Sequence, residues 1–209
     1  FGAQVEQLPV NEAGVVNDYA AVLSQPAAVV SCMWANNETG AIQPVEQIIA
    51  AANETATPVH VDAVQVIGKI PVDFHQLGAT SLAISGHKFG GPRGVGALIV
   101  KRSPVPLPLF HGGGQERGLR SGTVDVAGAV GFAAALQQAT ETMSEQQQRI
   151  GAFKQQLVME IAKIRGARIN SPENSLATHI NVSLSGCEGD SLIMLLDAHG
   201  IAASTGSAC

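Results

Sequence analysis

The chain has 209 residues, of which 45% are hydrophobic and 14% are charged, and its formal net charge is −5. This composition excludes a disordered chain and a coiled coil, the lack of a Lys/Arg block disfavours nucleic-acid binding, and the apolar runs are too short to span a bilayer. Three scattered cysteines without C-x-x-C spacing argue against a disulfide framework or a structural zinc site, and they favour a reducing, cytoplasmic location.

The first two-thirds of the chain alternate strand-like and helix-like segments. A short helix is expected near residues 17–24, and Pro44 suits the first position of a second helix. Near-continuous apolar strands separated by helices indicate an α/β fold, a three-layer, mainly parallel sheet covered on both faces. The predicted strands are residues 3–10, 27–34, 57–64, 80–85 and 95–101.

The last third predicts helices and a smaller α+β unit. A small-residue helix is expected at about residues 125–140, followed by an amphipathic helix whose apolar face is predicted to pack in a core. A strand at 179–185, a helix that ends before Gly200 and an apolar run at 201–204 come next. We place a large domain at 1–142 and the start of a small domain at 143–209. The apolar face comprises Ile150, Phe153, Leu157, Ile161 and Ile164.

Polar residues follow three of the predicted strands, at the ends where parallel sheets bind ligands. They are Asn36-Asn37, Asp62, and the run from Ser85 to Lys88. A charge on Asp62 in a buried strand needs a partner, and a carboxylate that only caps the next turn is an equal alternative. The glycine-rich loop after Lys88 lacks the spacing of a Walker A loop.

An acid and a lysine at the ends of neighbouring parallel strands indicate either a salt bridge or a pyridoxal 5′-phosphate (PLP) site. Lysines form Schiff bases with PLP, and an aspartate keeps its pyridine nitrogen protonated. Ser85, His87 and the loop amides add groups suited to a phosphate. Spacing alone leaves both interpretations open.

Five motifs occur in one order along the chain: ANNETGAIQPV, HVDAVQVIGKIPVD, SGHKFGGPRGVGAL, GGGQERGLRSGT and STGSAC. Together they closely resemble the cysteine desulfurases of the iron–sulfur-cluster (nitrogen-fixation) type, within the class V aminotransferase superfamily of fold-type-I PLP enzymes. The likeness runs from about residue 29 to the last residue. The HVDAxQ and SGHK blocks also occur in relatives with other activities, whereas GSAC after a small-residue turn is typical of a much smaller group of enzymes.

The resemblance implies how this chain would hold PLP. Lys88 would bind the cofactor covalently and later shuttle protons at the substrate carbon. Asp62 would pair with the pyridine nitrogen, and Asn37 and Gln65 would hydrogen-bond the ring's phenolic oxygen.

The phosphate would be held by residues of two subunits. The resemblance assigns Ser85 and His87 to the phosphate, and Thr123 to the phosphate of the neighbouring subunit's cofactor, which implies a homodimer. We expect Arg117 and Arg120 to support the subunit interface. His111 and His179 lie beside loops near the site, and the sequence indicates no role for them.

Cys209 distinguishes a desulfurase from an aminotransferase. The resemblance implies that L-cysteine becomes L-alanine, while the Cys209 thiolate takes the sulfur as a persulfide for an acceptor protein in iron–sulfur or thio-cofactor assembly. The small residues of STGSAC suit a mobile, accessible thiol. Without the family context an incidental thiol would be favoured. Cys32 is predicted to be a core residue, and Cys187 a loop thiol without a role.

The family pattern is incomplete in this chain. A segment before Phe1, with phosphate contacts and a ring-stacking histidine, and a carboxylate-binding arginine beyond Cys209 are both expected from the resemblance. The chain is therefore expected to be part of a longer protein and incomplete for activity alone. Two alternatives stay open: a related class V enzyme, an aminotransferase or selenocysteine lyase that does not need Cys209, and an inactive fragment that binds no cofactor.

Overall fold

The computed structural model describes residues 2–206, so Cys209 lies outside the described residues. Within them, a four-stranded sheet, a two-stranded sheet and six α-helices form. In chain order these are α1 (Tyr19–Leu23), β1 (Val30–Met33), α2 (Val45–Glu54), β2 (Val59–Asp62), α3 (Phe74–Leu77), β3 (Ser81–Ser85), β4 (Gly96–Val100), α4 (Val126–Glu141), α5 (Met143–Ile161), β5 (Ala167–Ile169), β6 (Val182–Leu184) and α6 (Gly189–Ala198).

The larger sheet has the strand order β1-β2-β3-β4. β1, β2 and β3 run parallel, and β4 is antiparallel to β3. The mainly parallel α/β sheet predicted from the sequence is confirmed. β4 reverses direction because only residues 86–95 separate it from β3, which is too short for the crossover that a parallel strand requires.

One face of this sheet carries the core. Alternate residues of the strands point to that face, and α2 packs on it with apolar residues three and four positions apart. On β1 the alternate residues Ser31 and Met33 are exposed in the described structure. Pro44 precedes α2 as its cap rather than as its first residue. The buried side chains are Val30, Cys32, Val45, Ile48, Ile49, Ala52, Val59, Val61, Leu82 and Ile84.

The predicted strand at residues 3–10 is wrong. Val10 forms an isolated bridge with Val16, and no strand is present at 3–10 in the structure. A β-prone run becomes a strand only where a sheet edge pairs with it and a core covers one face. Most of this segment is exposed.

The helices of the last third form as predicted, but their packing differs. The apolar face of α5 was expected in a core, and this expectation is wrong for the described residues: Phe153 is 58% exposed and Leu157 is 47% exposed. α5 contacts α4 and β5, yet these two side chains stay exposed, so the periodicity predicted the helix but not what it packs against. No helix within residues 2–206 is both long and apolar enough to cross a membrane.

The second sheet consists of β5 paired antiparallel with β6. β6 lies within the predicted strand 179–185, β5 was not predicted, and residues 201–204 form no strand. Gly200 follows α6 with φ +73°, as expected for a residue after a helix end. The proposed domain boundary at 142/143 falls at Thr142, between α4 and α5.

Leu82 tests the core assignment, because its side chain is 1% exposed in the middle of β3. Leu82→Ala is expected to lower the free energy of unfolding by about 2–5 kcal/mol, since it removes buried methyl groups and leaves a cavity. Urea unfolding measures this. The matched control is Leu107→Ala, at a side chain that is 90% exposed, with an expected change within about 0.5 kcal/mol. Equal effects of the two changes would contradict the assignment.

Candidate active site

The ends of three parallel strands meet at one edge of the sheet. Met33 at the end of β1 is in register with Asp62 at the end of β2, and Asp62 is in register with Ala83 of β3. Beyond the strands, the Trp34 N–H donates to the Asp62 carbonyl at 2.8 Å, and the Ala63 N–H donates to the Ala83 carbonyl at 2.9 Å. The turns that follow β1, β2 and β3 therefore lie side by side.

The turn after β1 contains the asparagine pair. The side-chain oxygen of Asn36 accepts hydrogen bonds from the N–H groups of Glu38 and Thr39, at 2.8 and 2.9 Å, so Asn36 shapes the turn. Asn37 is half-buried. Its side chain forms no hydrogen bond within residues 2–206, which leaves its amide available to a ligand.

Asp62 is exposed, and its Oδ1 accepts a hydrogen bond from the Val64 N–H at 2.9 Å. The capping alternative is therefore what the structure contains, and the expectation of a buried carboxylate is wrong. Within the described residues Asp62 forms no ion pair with Lys88. Gln65 is buried, and its Oε1 accepts a long hydrogen bond of 3.4 Å from the Lys69 ammonium group.

The segment after β3 is a 3₁₀ helix, Gly86–Phe89, which carries Lys88. Ser85, at the end of β3, places its Oγ 2.8 Å from the Nδ1 of His87. The Phe89 ring packs edge-to-face on Phe132 of α4, with centroids 5.1 Å apart. This aromatic contact fixes the turn that presents the half-buried Lys88.

Glycines in this loop let the chain pack on itself. A Cβ at Gly96 would lie 2.6 Å from the Ile84 carbonyl oxygen, and one at Gly91 would lie 3.0 Å from the Gly86 carbonyl oxygen. The structure explains these two positions by backbone packing inside the protein.

Thr123 and the two arginines lie in the segment that leads to α4. Thr123 is exposed. The Arg120 guanidinium donates to the Ser121 carbonyl at 2.6 Å and stacks over Phe110, 5.4 Å from the ring centroid. Arg117 has a φ of +58°, a backbone conformation that residues other than glycine rarely adopt. An interface role for these arginines stays a prediction.

The chain approaches the asparagine turn shortly before Cys209. A Cβ at Gly189, the first residue of α6, would lie 2.9 Å from the Thr205 side chain, and a Cβ at Gly206 would lie 3.6 Å from the Glu38 carboxylate. Cys209 follows Gly206 by three positions, and three residues span at most about 10 Å.

The other two cysteines lie where the sequence predicted them, Cys32 in the core and Cys187 in a loop. Cys32 is buried in β1, and burial raises the pKa of its thiol to about 11, so it stays protonated and unreactive. Cys187 is exposed.

His179 and two lysines were not identified from the sequence as site residues. Burial, followed by the positive charges of Lys69, Lys154 and Lys88, lowers the pKa of His179 to about 4, and the Asn37 backbone opposes this shift. The His179 Nδ1 lies 2.9 Å from the Thr178 hydroxyl. Motif spacing carried no signal for this cluster, because its members come from separate elements.

Gly40 allows His179 to approach the asparagine turn. A Cβ at Gly40 would lie only 2.6 Å from the Cβ of His179, and Gly40 has φ +74°. The Leu176 N–H donates to the Gly40 carbonyl at 2.9 Å. Residues 174–179 are therefore packed directly on the turn that contains Asn37.

The donor set at the strand ends fits PLP by its chemistry. It combines an amine on Lys88 for a covalent link, a carboxylate on Asp62 for a pyridine nitrogen, and the adjacent Ser85 hydroxyl and His87 imidazole for a phosphate. The second oxygen of the exposed Asp62 carboxylate accepts no hydrogen bond within residues 2–206, so it is available to a donor.

His179 predicts a pH-dependent stability. The pKa of His179 is about 4 in the folded protein, against the usual 6.5. Between these two pH values the imidazole is therefore protonated in the unfolded chain and neutral in the folded chain. This contribution to stability is present above about pH 6.5 and is lost as the pH falls towards 4. Unfolding at several pH values should show that His179→Gln flattens this dependence.

The matched control for that experiment is His75→Gln, an exposed position on α3. If the wild-type protein and His179→Gln lose stability in parallel between pH 7 and pH 4, the environment assigned to His179 is wrong.

Comparison with known proteins shows which family the chain resembles. Residues 1–209 match the aminotransferase class-V family. The chain is 46% identical over 215 residues to a Mycobacterium tuberculosis protein named IscS-like cysteine desulfurase, covering 100% of this chain and 55% of that protein. It is 40% identical over 211 residues to the cysteine desulfurase IscS of Methanosarcina thermophila, covering 100% of this chain and 52% of that protein.

A solved structure named NIFS-LIKE PROTEIN has the same fold. It matches with a TM-score of 0.89 and 42% identity, covering 98% of this chain and 57% of the other. The resemblance drawn from the five motifs is confirmed by these similarities. The chain spans about half the length of the curated relatives that it matches.

Proposed function

The chain belongs to the aminotransferase class-V family, and we propose that the protein containing it is a PLP-dependent cysteine desulfurase. It converts L-cysteine to L-alanine and transfers the sulfur to Cys209 as a persulfide. Two supports are the relatives named cysteine desulfurase and the Ser-Ala-Cys end of the chain. The structural observation that carries the proposal is the donor set at the strand ends, where the Ser85 hydroxyl lies 2.8 Å from His87 in the 3₁₀ helix that also carries Lys88.

Residues after the parallel strands would hold the cofactor. Lys88 would bind it covalently, Asp62 would keep its pyridine nitrogen protonated, and Asn37 and Gln65 would hydrogen-bond its phenolic oxygen. When bound, PLP supplies an electron sink for negative charge that develops at the substrate carbon. The exposure of Asp62 and the unengaged Asn37 amide support these roles.

Ser85 and His87 would hold the phosphate, and their 2.8 Å contact supports a shared site. Thr123 reaches the phosphate of the neighbouring subunit's cofactor, so the protein is a homodimer. The exposure of Thr123 supports this arrangement. We also retain the division into residues 1–142 and 143–209, which the helix junction at Thr142 supports.

The chain's own groups perform the proton transfer and the sulfur transfer. Lys88 moves the proton at the substrate's Cα. The Cys209 thiolate attacks the substrate sulfur, so that an S–S bond forms as the Cβ–S bond breaks, and a proton added at Cβ completes L-alanine. A carrier or scaffold protein then receives the persulfide sulfur for iron–sulfur cluster or thio-cofactor assembly. A reducing cytoplasm suits this thiol chemistry.

Peptide-mapped mass spectrometry tests the function and its nucleophile together. The full-length protein is incubated with PLP and L-cysteine and quenched with a thiol-blocking reagent. An added sulfur is expected on the Cys209 peptide and not on the Cys32 or Cys187 peptides, because Cys32 is buried and Cys187 belongs to a different loop. Cys209→Ala should abolish sulfur release from L-cysteine.

Cys187→Ala is the matched control and should leave sulfur release unchanged. A protein that holds PLP on Lys88, leaves Cys209 unmodified and stays active as Cys209→Ala would instead be a related aminotransferase or lyase. A protein that stays colourless with added PLP would support the inactive alternative.

Asp62→Asn separates the charge of Asp62 from its structural contact. The amide oxygen of asparagine still accepts the Val64 N–H, so thermal stability should change little. The lost carboxylate no longer stabilises a protonated pyridine nitrogen, and kcat is expected to fall by about 100-fold or more. Steady-state kinetics and a melting curve check the two parts. Wild-type kcat in this variant would exclude the role assigned to Asp62.

A further inference from the structure

The turn that follows β2 carries Gln65 and, four positions later, the half-buried Lys69. The Lys69 ammonium group donates one hydrogen bond within residues 2–206, to the Oε1 of Gln65 at 3.4 Å. No carboxylate oxygen of the described residues lies within 4.0 Å of it, whereas Lys163 on the surface pairs with Glu160 at 2.7 Å. The amide of Gln65 is therefore the polar group that the Lys69 side chain contacts.

Two helices hold this turn in place. A Cβ at Gly68 would lie 2.8 Å from the Cβ of Ala139 in α4, so the turn packs closely on that helix. The side chain of Gln147 in α5 donates to the Lys69 carbonyl. The Lys69 N–H donates to the Val66 carbonyl at 2.9 Å. Because both backbone groups of Lys69 are bonded, its side chain starts from a defined position.

The contact between Lys69 and Gln65 determines which way the Gln65 amide points. An ammonium group has three donors and no acceptor, so it faces the oxygen of an amide and not its NH₂ group. Burial, followed by the charge of Lys88, lowers the pKa of Lys69 to about 8, so most of the group is still an ammonium near pH 7. With Oε1 turned to Lys69, the Gln65 Nε2 points away from it.

The Nε2 of Gln65 is the donor that this orientation leaves available. Gln65 is only 8% exposed, yet its Nε2 forms no hydrogen bond within residues 2–206. It is not among the fully enclosed, unpartnered polar atoms of the described residues, which are represented by Asn17 Oδ1, so it reaches open space. A phenolic oxygen that has lost its proton can only accept hydrogen bonds, and it therefore needs an N–H group rather than a carbonyl oxygen.

We propose that Lys69 is a positioning residue for the cofactor, which holds the Oε1 of Gln65 and thereby turns the Nε2 donor towards the phenolic oxygen of PLP. This inference rests on the proposed function, which assigns Gln65 to that oxygen. Lys69 acts through Gln65 and does not itself touch the cofactor. Without the ammonium donor, a Gln65 amide that donates to the phenolic oxygen leaves its own buried Oε1 unpaired, which is unfavourable.

The test compares two cofactor analogues that differ only at the phenolic oxygen. Pyridoxamine 5′-phosphate forms no covalent link to Lys88, and its 3-deoxy form lacks the phenolic oxygen. Each is titrated at pH 7 into the full-length protein freed of PLP, and calorimetry gives the dissociation constant. Lys69→Met removes the donor and keeps most of the apolar stem. It is expected to weaken binding of pyridoxamine 5′-phosphate about 10-fold, as for a lost hydrogen bond, and to leave binding of the 3-deoxy form unchanged.

Variants of the two partners separate orientation from packing. Lys69→Arg keeps a side chain with donors only, so it should retain the preference for pyridoxamine 5′-phosphate. Gln65→Leu removes the donor and should lose the preference, and adding Lys69→Met to it should cause no further loss, because Lys69 acts through Gln65. The matched control Lys163→Met removes an exposed lysine that pairs with Glu160 and should bind both analogues as the wild type does.

Lys69→Gln replaces Lys69→Met if the latter does not fold. A glutamine at this position both donates and accepts hydrogen bonds, so it no longer selects one orientation of the Gln65 amide. The preference for pyridoxamine 5′-phosphate should then fall by about 2-fold or more, because the binding-competent orientation is only fractionally populated.

The outcomes separate this inference from the proposed function. Equal weakening of both analogues in Lys69→Met, an unchanged preference, or a further loss in the double variant would overturn the positioning role. A wild-type protein without any preference would remove the role of Gln65 and this inference with it. A persulfide on Cys209 together with an unchanged preference would reject the role of Lys69 and keep the desulfurase. A preference that is lost in Lys69→Met, in a protein that forms no persulfide, would keep the role and reject the desulfurase.

Discussion

Parallel hydrogen bonding of β1, β2 and β3 is the constraint on which the candidate site depends, because it brings three strand ends to one edge of the sheet. Since side chains alternate along a strand, a slip of one residue in β2 would turn Asp62 to the core face and Val61 to the open face. The buried Val59 and Val61 on one face therefore determine where the Asp62 carboxylate lies. The same register of β2 therefore buries the two valines and places the Asp62 carboxylate on the open face.

The reversal of β4 also determines how Lys88 is held, because Lys88 lies in the short loop that joins β3 to β4. The loop from β3 to β4 folds back on itself through glycines that leave no room for a Cβ, and the Gly86 N–H donates to the Val95 carbonyl at 2.9 Å. Phe89 anchors the same loop on Phe132 of α4. A lysine side chain is flexible, so a rigid turn beneath it limits the positions that its amine can take.

Local patterns predicted what local forces determine. Apolar runs located β1 to β4, and polar residues after them located Asp62 and Lys88. The strand at 3–10 and the core face of α5 were wrong because both require a partner surface, which sequence periodicity does not describe. Lys69 and His179 were missed for a related reason. His179 reaches the asparagine turn through the pairing of residues 174–179 with that turn, a contact between segments distant in sequence.

That pairing joins the later part of the chain to the site. Ala41 bridges Ser175, and Leu176 is 2% exposed with its N–H bonded to the Gly40 carbonyl. A displacement of residues 174–179 would therefore move the Asn37 turn and withdraw the Ser175 and Leu176 acceptors from Lys154. Because Gly206 also lies against this turn at Glu38, one short turn receives contacts from β1, from residues 174–179 and from the segment that leads to Cys209. The geometry around Asn37 thus depends on all three at once.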